Sequence, residues 1–257
     1  MHKSLINEIR QSWSKFESGV ILENNEFELD KFPFLKQLEN SNLTYAVLNN
    51  VKFEIEYHGS NFFDVLGIDK DAFDQFGTKT IVESVNKNQS SFLNTLPKYF
   101  KEFWEYTDEE KKKDITRVTV GLNVDHINKG IIRLVVQTYI LEVDLFQIPT
   151  HLLVVYNDVT YMLKDDFYWI RFSGLEEGKK VLVYHDGFKD VLKKDILSVR
   201  EKEILKLLMD GKSSLEIAEI LFISKITVNN HRQNMLNRFG VKDTTGLITI
   251  AILCQLL

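Results

Sequence analysis

Five uncharged amides, Asn229, Asn230, Gln233, Asn234 and Asn237, fall within the nine residues "NNHRQNMLN". A carboxamide is neither a nucleophile nor a proton carrier at neutral pH. It does offer a donor and an acceptor side by side, the pair that matches the N6 and N7 edge of adenine in a DNA major groove. At 100° per residue on a helix, the five occupy an arc from about 100° to about 240°, measured from Val228. Val228, His231, Met235 and Phe239 cluster within about 80° of one another on the other side and form an inner face. The bland alternative is a solvated helix face, but such a face more commonly carries Glu and Lys, which support a helix better than Asn does.

The elements that must position this face are legible around it. In "ILSVREKEILKLLMDGK", Ser198 and Glu201 have capping-box spacing, Ile204, Leu205, Leu207 and Leu208 recur at helical spacing, and Asp210-Gly211 is the stop. Ser213 and Glu216 repeat the capping box before Ile217, Ala218, Ile220 and Leu221. Ser224 can cap a third helix that runs to Phe239 and stops at Gly240. Two short helices at a tight turn, the second longer and basic, make the helix-turn-helix pattern, whose second helix enters the major groove. Net charge over the chain is −5, yet from 220 to 242 the charged residues are Lys225, Arg232, Arg238 and Lys242, with no acid among them. A locally basic helix in an acidic chain argues against coating by nucleic acid and leaves room for a local contact.

The stretch "LSVREKEILKLLMDGKSSLEIAEILFISKITVNNHRQNMLNRFGV" resembles the LuxR/GerE-type helix-turn-helix domain, following its L-S-x-R-E, E-I-A-x-x-L and I-S-x-x-T-V-x-x-H pattern over about a quarter of the chain. The resemblance implies that the helix after Ser224 is the recognition helix, with base contacts at Asn229, Asn230 and Gln233. Phosphate contacts are implied for Ser213, Ser214, Lys225, Thr227 and Arg232, and His231 matches a family histidine whose expected role is packing. Two places depart from the pattern: Asn229 and Asn230 stand where a basic residue is common, and Thr244 where an arginine is. Fewer cations mean weak, salt-limited binding by one subunit, so a homodimer is expected. The matching fourth helix, Thr245 to Leu257, offers Ile248, Ala251, Ile252 and Gln255 as its contacts.

Toward the N-terminus, Leu5, Ile9, Trp13 and Phe16 mark an amphipathic helix over residues 3 to 22. "LTYAVLNNVKFEIEYHG" has strand composition, "NFFDVLGID" reads as a short helix and "NQSSFLNTLPKYFKEFWEY" as a longer one. After the solvated run "TDEEKKKD" come three strand-like stretches, "ITRVTVGLNVDH", "IIRLVVQTYILEV" and "THLLVVYNDVTYM". Strands, helices, then three strands predict an antiparallel sheet with helices on one face. That order, with "EYHGSNFFDVLGID" and "VVYNDVTYM", is similar to the PAS domain over roughly 130 residues. Phe62, Phe63, Phe92, Tyr99, Phe103 and Trp104 are the residues that would line a ligand pocket there, against the alternative of a filled core. No cofactor is expected: the single cysteine, Cys254, lies in the other domain, where it cannot form a flavin adduct, and no histidine falls between His58 and His126 to ligate haem.

One cysteine also excludes an internal disulfide, "MHKSLINEIR" places charges where a secretory leader is apolar, and the closing "TTGLITIAILCQLL" is too short to span a bilayer. A cytoplasmic protein with no membrane contact is expected. No phosphate-loop, zincin or nucleophile-elbow motif occurs, and no enzyme is expected. The predicted architecture is α+β: an N-terminal helical segment over 1–30, a PAS-like sensory or dimerising domain over 31–165, a linker over 166–195, and an all-α four-helix LuxR-type domain over 196–257. The expected function is DNA-binding transcription regulation, with double-stranded DNA as partner, RNA polymerase reached indirectly, and a small-molecule ligand of unknown identity. The rivals are a protein-interaction adaptor and a sigma-factor-like helix-turn-helix.

Overall fold

The computed structural model describes residues 27–89, 92, 115–145, 149–163, 169–174, 197–254 and 256–257. The amphipathic helix over 3–22, most of the helix expected over 88–106, most of the 166–195 linker, and Tyr99, Phe103, Trp104 and Gln255 lie outside these residues.

The first domain is built on a six-stranded antiparallel sheet in the order β2-β1-β5-β4-β3-β6. Its strands are β1 (Thr44–Asn49), β2 (Glu54–His58), β3 (Ile115–His126), β4 (Gly130–Val143), β5 (Pro149–Asp158) and β6 (Trp169–Gly174). Helices α1 (Pro33–Leu38), α2 (Phe62–Leu66), α3 (Lys70–Phe76) and α4 (Thr78–Ser84) accompany it. β3 and β4 pair from Arg117 opposite Tyr139 to His126 opposite Gly130, where a short turn closes the hairpin. The single strand-like stretch before Gly59 divides into β1 and β2 at a turn in which Phe53 takes the left-handed φ of 58°.

β1 and β5 are buried on both faces, as strands in the middle of a sheet must be when both faces are covered. On one side Ala46, Leu152, Val154 and Tyr156 pack with Phe62 and Leu66 of α2; on the other Tyr45, Val47 and Leu153 pack with Leu35 of α1. Helical cover is therefore two-sided, not one-sided as expected, because "TYAV" and "HLLVV" are apolar at odd and even positions alike. β6 is the second departure. "WIRFSG", placed in the linker by its sequence, pairs along β3 with Ile170 opposite Val120. Gly121 makes room for it: a Cβ there would stand 2.4 Å from Nε1 of Trp169, whose side chain is buried.

The second domain consists of α5 (Val199–Met209), α6 (Ser214–Ile220), α7 (Lys225–Phe239) and α8 (Thr244–Leu253). Leu197, Ile204, Leu205, Leu208, Ile217, Val228, Met235, Phe239, Leu247 and Ile250 form its core, and the same cluster takes in Val135, Val159, Leu163 and Trp169 of the sheet domain. Cys254 is buried in that core, and its burial pushes the thiol well above the ordinary cysteine range. No helix among the described residues is long and apolar enough to cross a membrane.

Candidate nucleic-acid interface

Each helix of the second domain begins on a side-chain cap. Ser198 and Ser213 form complete capping boxes: each hydroxyl accepts from the backbone N–H three residues on, and Glu201 and Glu216 each accept the cap residue's own N–H at 2.8 Å. Ser224 accepts from Thr227 N–H at 3.0 Å to start α7, and Gly240, with φ of 64°, ends it in the left-handed conformation that favours glycine. These caps fix the length of α7 and so fix which residues share a face.

The inner face is as the spacing predicts. Val228, Met235 and Phe239 are buried and His231 is half-buried. Across the helix Asn229, Asn230, Gln233, Asn234 and Asn237 are all exposed. Among the described residues, Asn229, Asn230 and Asn234 have no side-chain hydrogen-bond partner, while Gln233 Nε2 donates to Asn237 Oδ1 at 2.8 Å, one helical turn on. The amides point away from the chain's own protein and keep their donors and acceptors available, apart from that one mutual bond.

The residues expected on phosphates divide. Lys225 is exposed at the start of α7 with no ion-pair partner among the described residues, Thr227 bonds through its hydroxyl to Ser224 at 2.9 Å, and Ser213 is exposed at its cap. Ser214 and Arg232 are placed otherwise. Ser214 is buried, and Arg232 donates through Nη1 to its hydroxyl and through Nη2 to Thr244 Oγ1 at 2.6 Å. One guanidinium thereby joins the start of α6, the middle of α7 and the start of α8. Thr244, marked in the sequence as a departure from a common arginine, is the acceptor that completes this link.

A second internal arginine was not singled out from the sequence. Arg238 engages Glu201 in two parallel contacts, Nη1 to Oε2 and Nη2 to Oε1, each 2.9 Å. Burial by itself would raise the Glu201 carboxyl, but the hydrogen bonds from Arg238 and Ser198 outweigh it and hold the group below its usual range. Arg238 thus belongs to the domain's scaffold, and the basic window offers groove or phosphate less free charge than its composition suggests. The only hint in the sequence was the capping-box glutamate itself, which does not reveal a partner 37 residues away.

Of the residues expected on a dimer interface, Ala251 is buried in the chain's own core, Ile248 is half-buried against it and Ile252 is 51% exposed. Ala251 is therefore unavailable to a second chain while this packing holds. In the sheet domain, Phe62 and Phe92 have no exposed surface, and Phe62, Phe63 and Phe73 pack ring against ring at centroid distances of 5.3 to 5.9 Å. Phe62 is a core residue and Phe63 is half-buried against that core; a cleft of about 420 Å³ is lined by their neighbour Phe73 with Phe53, Ile55, Phe76 and Thr78 among others. No group of three or more His, Cys, Asp or Glu residues suited to a metal occurs among the described residues.

Comparison with known proteins decides the family. The family model described as bacterial regulatory proteins, luxR family, matches residues 195–251. The Bacillus subtilis spore germination protein GerE is 44% identical over 60 residues, which is 23% of this chain and 81% of GerE. The chain belongs to the luxR family of bacterial regulatory proteins. This luxR-type region also matches the transcriptional regulatory protein MctR of Rhizobium johnstonii, 43% identical over 58 residues, and DegU of Brevibacillus brevis, 42% identical over 69. The matches span only 27% of MctR and 29% of DegU, and 23% and 26% of this chain. Among solved structures, the Vibrio cholerae VqmA dimer covers 88% of each chain at 16% identity with a TM-score of 0.31, a likeness too slight to build on. The luxR family is one of regulators, not of enzymes.

Proposed function

We propose that this chain is a DNA-binding transcription regulator in which α7 enters the major groove, with Asn229, Asn230 and Gln233 on base edges and Lys225, Thr227 and Ser213 near phosphates. The observation that carries the reading is the amide arc, exposed along α7 and turned away from the protein's own packing. Helix N-termini favour anions, and the first turn of α7 adds Lys225 to that field. The names of MctR and DegU, both transcriptional regulatory proteins, support the same reading.

The sheet domain acts as a PAS-like unit that senses a signal or mediates dimerisation. Two strands, a set of helices and the three strands β3 to β5 support that likeness, and β6 adds a sixth strand at the β3 edge. The protein works in the cytoplasm as a homodimer, reaching RNA polymerase only indirectly. Two copies of α7 meet successive major grooves when the dimer sets them about 34 Å apart, so a signal in the first domain acts by changing that spacing.

Selection of bound duplexes from a random pool by the purified protein, repeated across a salt series, tests the proposal. A regulator enriches a sequence with two related half-sites and loses affinity steeply with salt. An adaptor whose helix-turn-helix faces a protein partner enriches nothing and shows no salt slope.

A further inference from the structure

Ile226 is 72% exposed in the first turn of α7. Its helical angle is about 160° from Val228, in the middle of the arc held by the five amides. It lies three and four residues before Asn229 and Asn230, hence directly over them on the same face. Other exposed apolar side chains of this domain, among them Val199, Leu215, Phe222 and Ile252, belong to α5, α6, the turn after it and the C-terminal end of the chain from α8 on. Among the described residues, Ile226 alone places an apolar group inside the amide arc.

We infer that Ile226 is a specificity residue that packs against the 5-methyl group of a thymine. The inference rests on the proposal that α7 enters the major groove. In that groove the base edges are polar, with donors and acceptors on every pair, and the apolar group they present is the methyl of thymine. The N-terminal residues of a recognition helix are those that contact base edges, and Ile226 is the second residue of α7. A polar base edge opposite it would lose water and receive no hydrogen bond in return; a methyl gives an apolar surface to meet. Asn229 and Asn230 sit about 4.5 and about 6 Å further along the helix axis. With base pairs about 3.4 Å apart, the thymine falls within about two pairs of the adenine read by the amides.

Removing a single methyl without altering base pairing tests this. Starting from a duplex selected by the full chain, each thymine is replaced in turn by deoxyuridine and binding is measured for wild type and for Ile226→Ala. Wild type loses about fourfold in affinity at one thymine in each half-site, the effect of burying one methyl-sized group. Ile226→Ala binds thymine and uracil duplexes equally at that place and keeps its preference at the adenine, and Ala favours the helix more than Ile, so folding is retained. Absence of any methyl-sensitive thymine, or an undiminished uracil penalty in Ile226→Ala, overturns the inference and leaves the amide reading standing. A pool from which no sequence is enriched overturns both, and an Ile226→Ala protein that binds DNA as wild type does but no longer pulls down RNA polymerase assigns the side chain to a protein instead.

Discussion

Replacing Glu201 by glutamine removes one charge and leaves the shape of the side chain in place. Glu201 is 6% exposed at its side chain and Arg238 27%, so the pair is largely but not wholly withdrawn from water. Breaking a fully buried pair costs about 3–5 kcal/mol. Here the arginine remains partly hydrated and a glutamine oxygen can still accept the Ser198 N–H, which brings the expected loss to about 2 kcal/mol. In urea unfolding with a slope of about 1–2 kcal/mol per molar, the midpoint falls by about 1–2 M. The pH dependence has a definite sign. The folded carboxyl titrates below its ordinary value of 4.5, so its stabilisation is complete above that value and is lost as pH falls through the lower folded value. Wild type and Glu201→Gln should therefore differ at neutral pH and converge in acid. A double-mutant cycle with Arg238→Met isolates the pair. Additive losses, or a stability gap that persists unchanged into acid, would refute the assignment of Glu201 and Arg238 as a coupled scaffold pair.

Arg232→Ala should lower the stability of the DNA-free protein by about 1–3 kcal/mol, since it strands the Ser214 and Thr244 hydroxyls; an unchanged melting temperature together with weaker DNA binding would return Arg232 to the phosphate set. Gly121→Ala should displace Trp169 and loosen β6, seen as a change in near-ultraviolet circular dichroism and a lower melting temperature, and an unaltered spectrum would show that the sheet absorbs the extra Cβ. Lys225→Ala should weaken binding to all duplexes alike and reduce the slope of log affinity against log salt by about one. A loss confined to the selected sequence would place Lys225 on a base.

What the sequence disclosed was local. Ser198 with Glu201, Ser213 with Glu216, and Ser224 with Gly240 each act within one helical turn or at one helix end, and the amide arc follows from the period of a single helix once those ends are set. Strands β3 and β4 were equally plain, since each is a β-branched run with a short turn between them. The hidden features depend on residues distant in the chain. "WIRFSG" has no alternation that names β3 as its neighbour, and only the space left by Gly121 explains why Trp169 seats there. Arg232 and Arg238 read as free cations because a linear pattern cannot show that Thr244 and Glu201 stand within hydrogen-bond reach. Ala251 was open to either reading, as a small apolar residue on an apolar helix suits a dimer seam or a core, and packing of α8 in the chain's own cluster decides for the core.

The most direct test is a set of equilibrium affinities for the selected duplex and its single base-pair variants, measured with wild type and with Asn229→Ala, Asn230→Ala and Gln233→Ala. Each variant should lose about 1–3 kcal/mol of discrimination at its own base pair while binding elsewhere in the site stays as selective as before. Equal weakening on every duplex, with the preference for each base intact, would contradict the claim that the exposed amides of α7 read sequence.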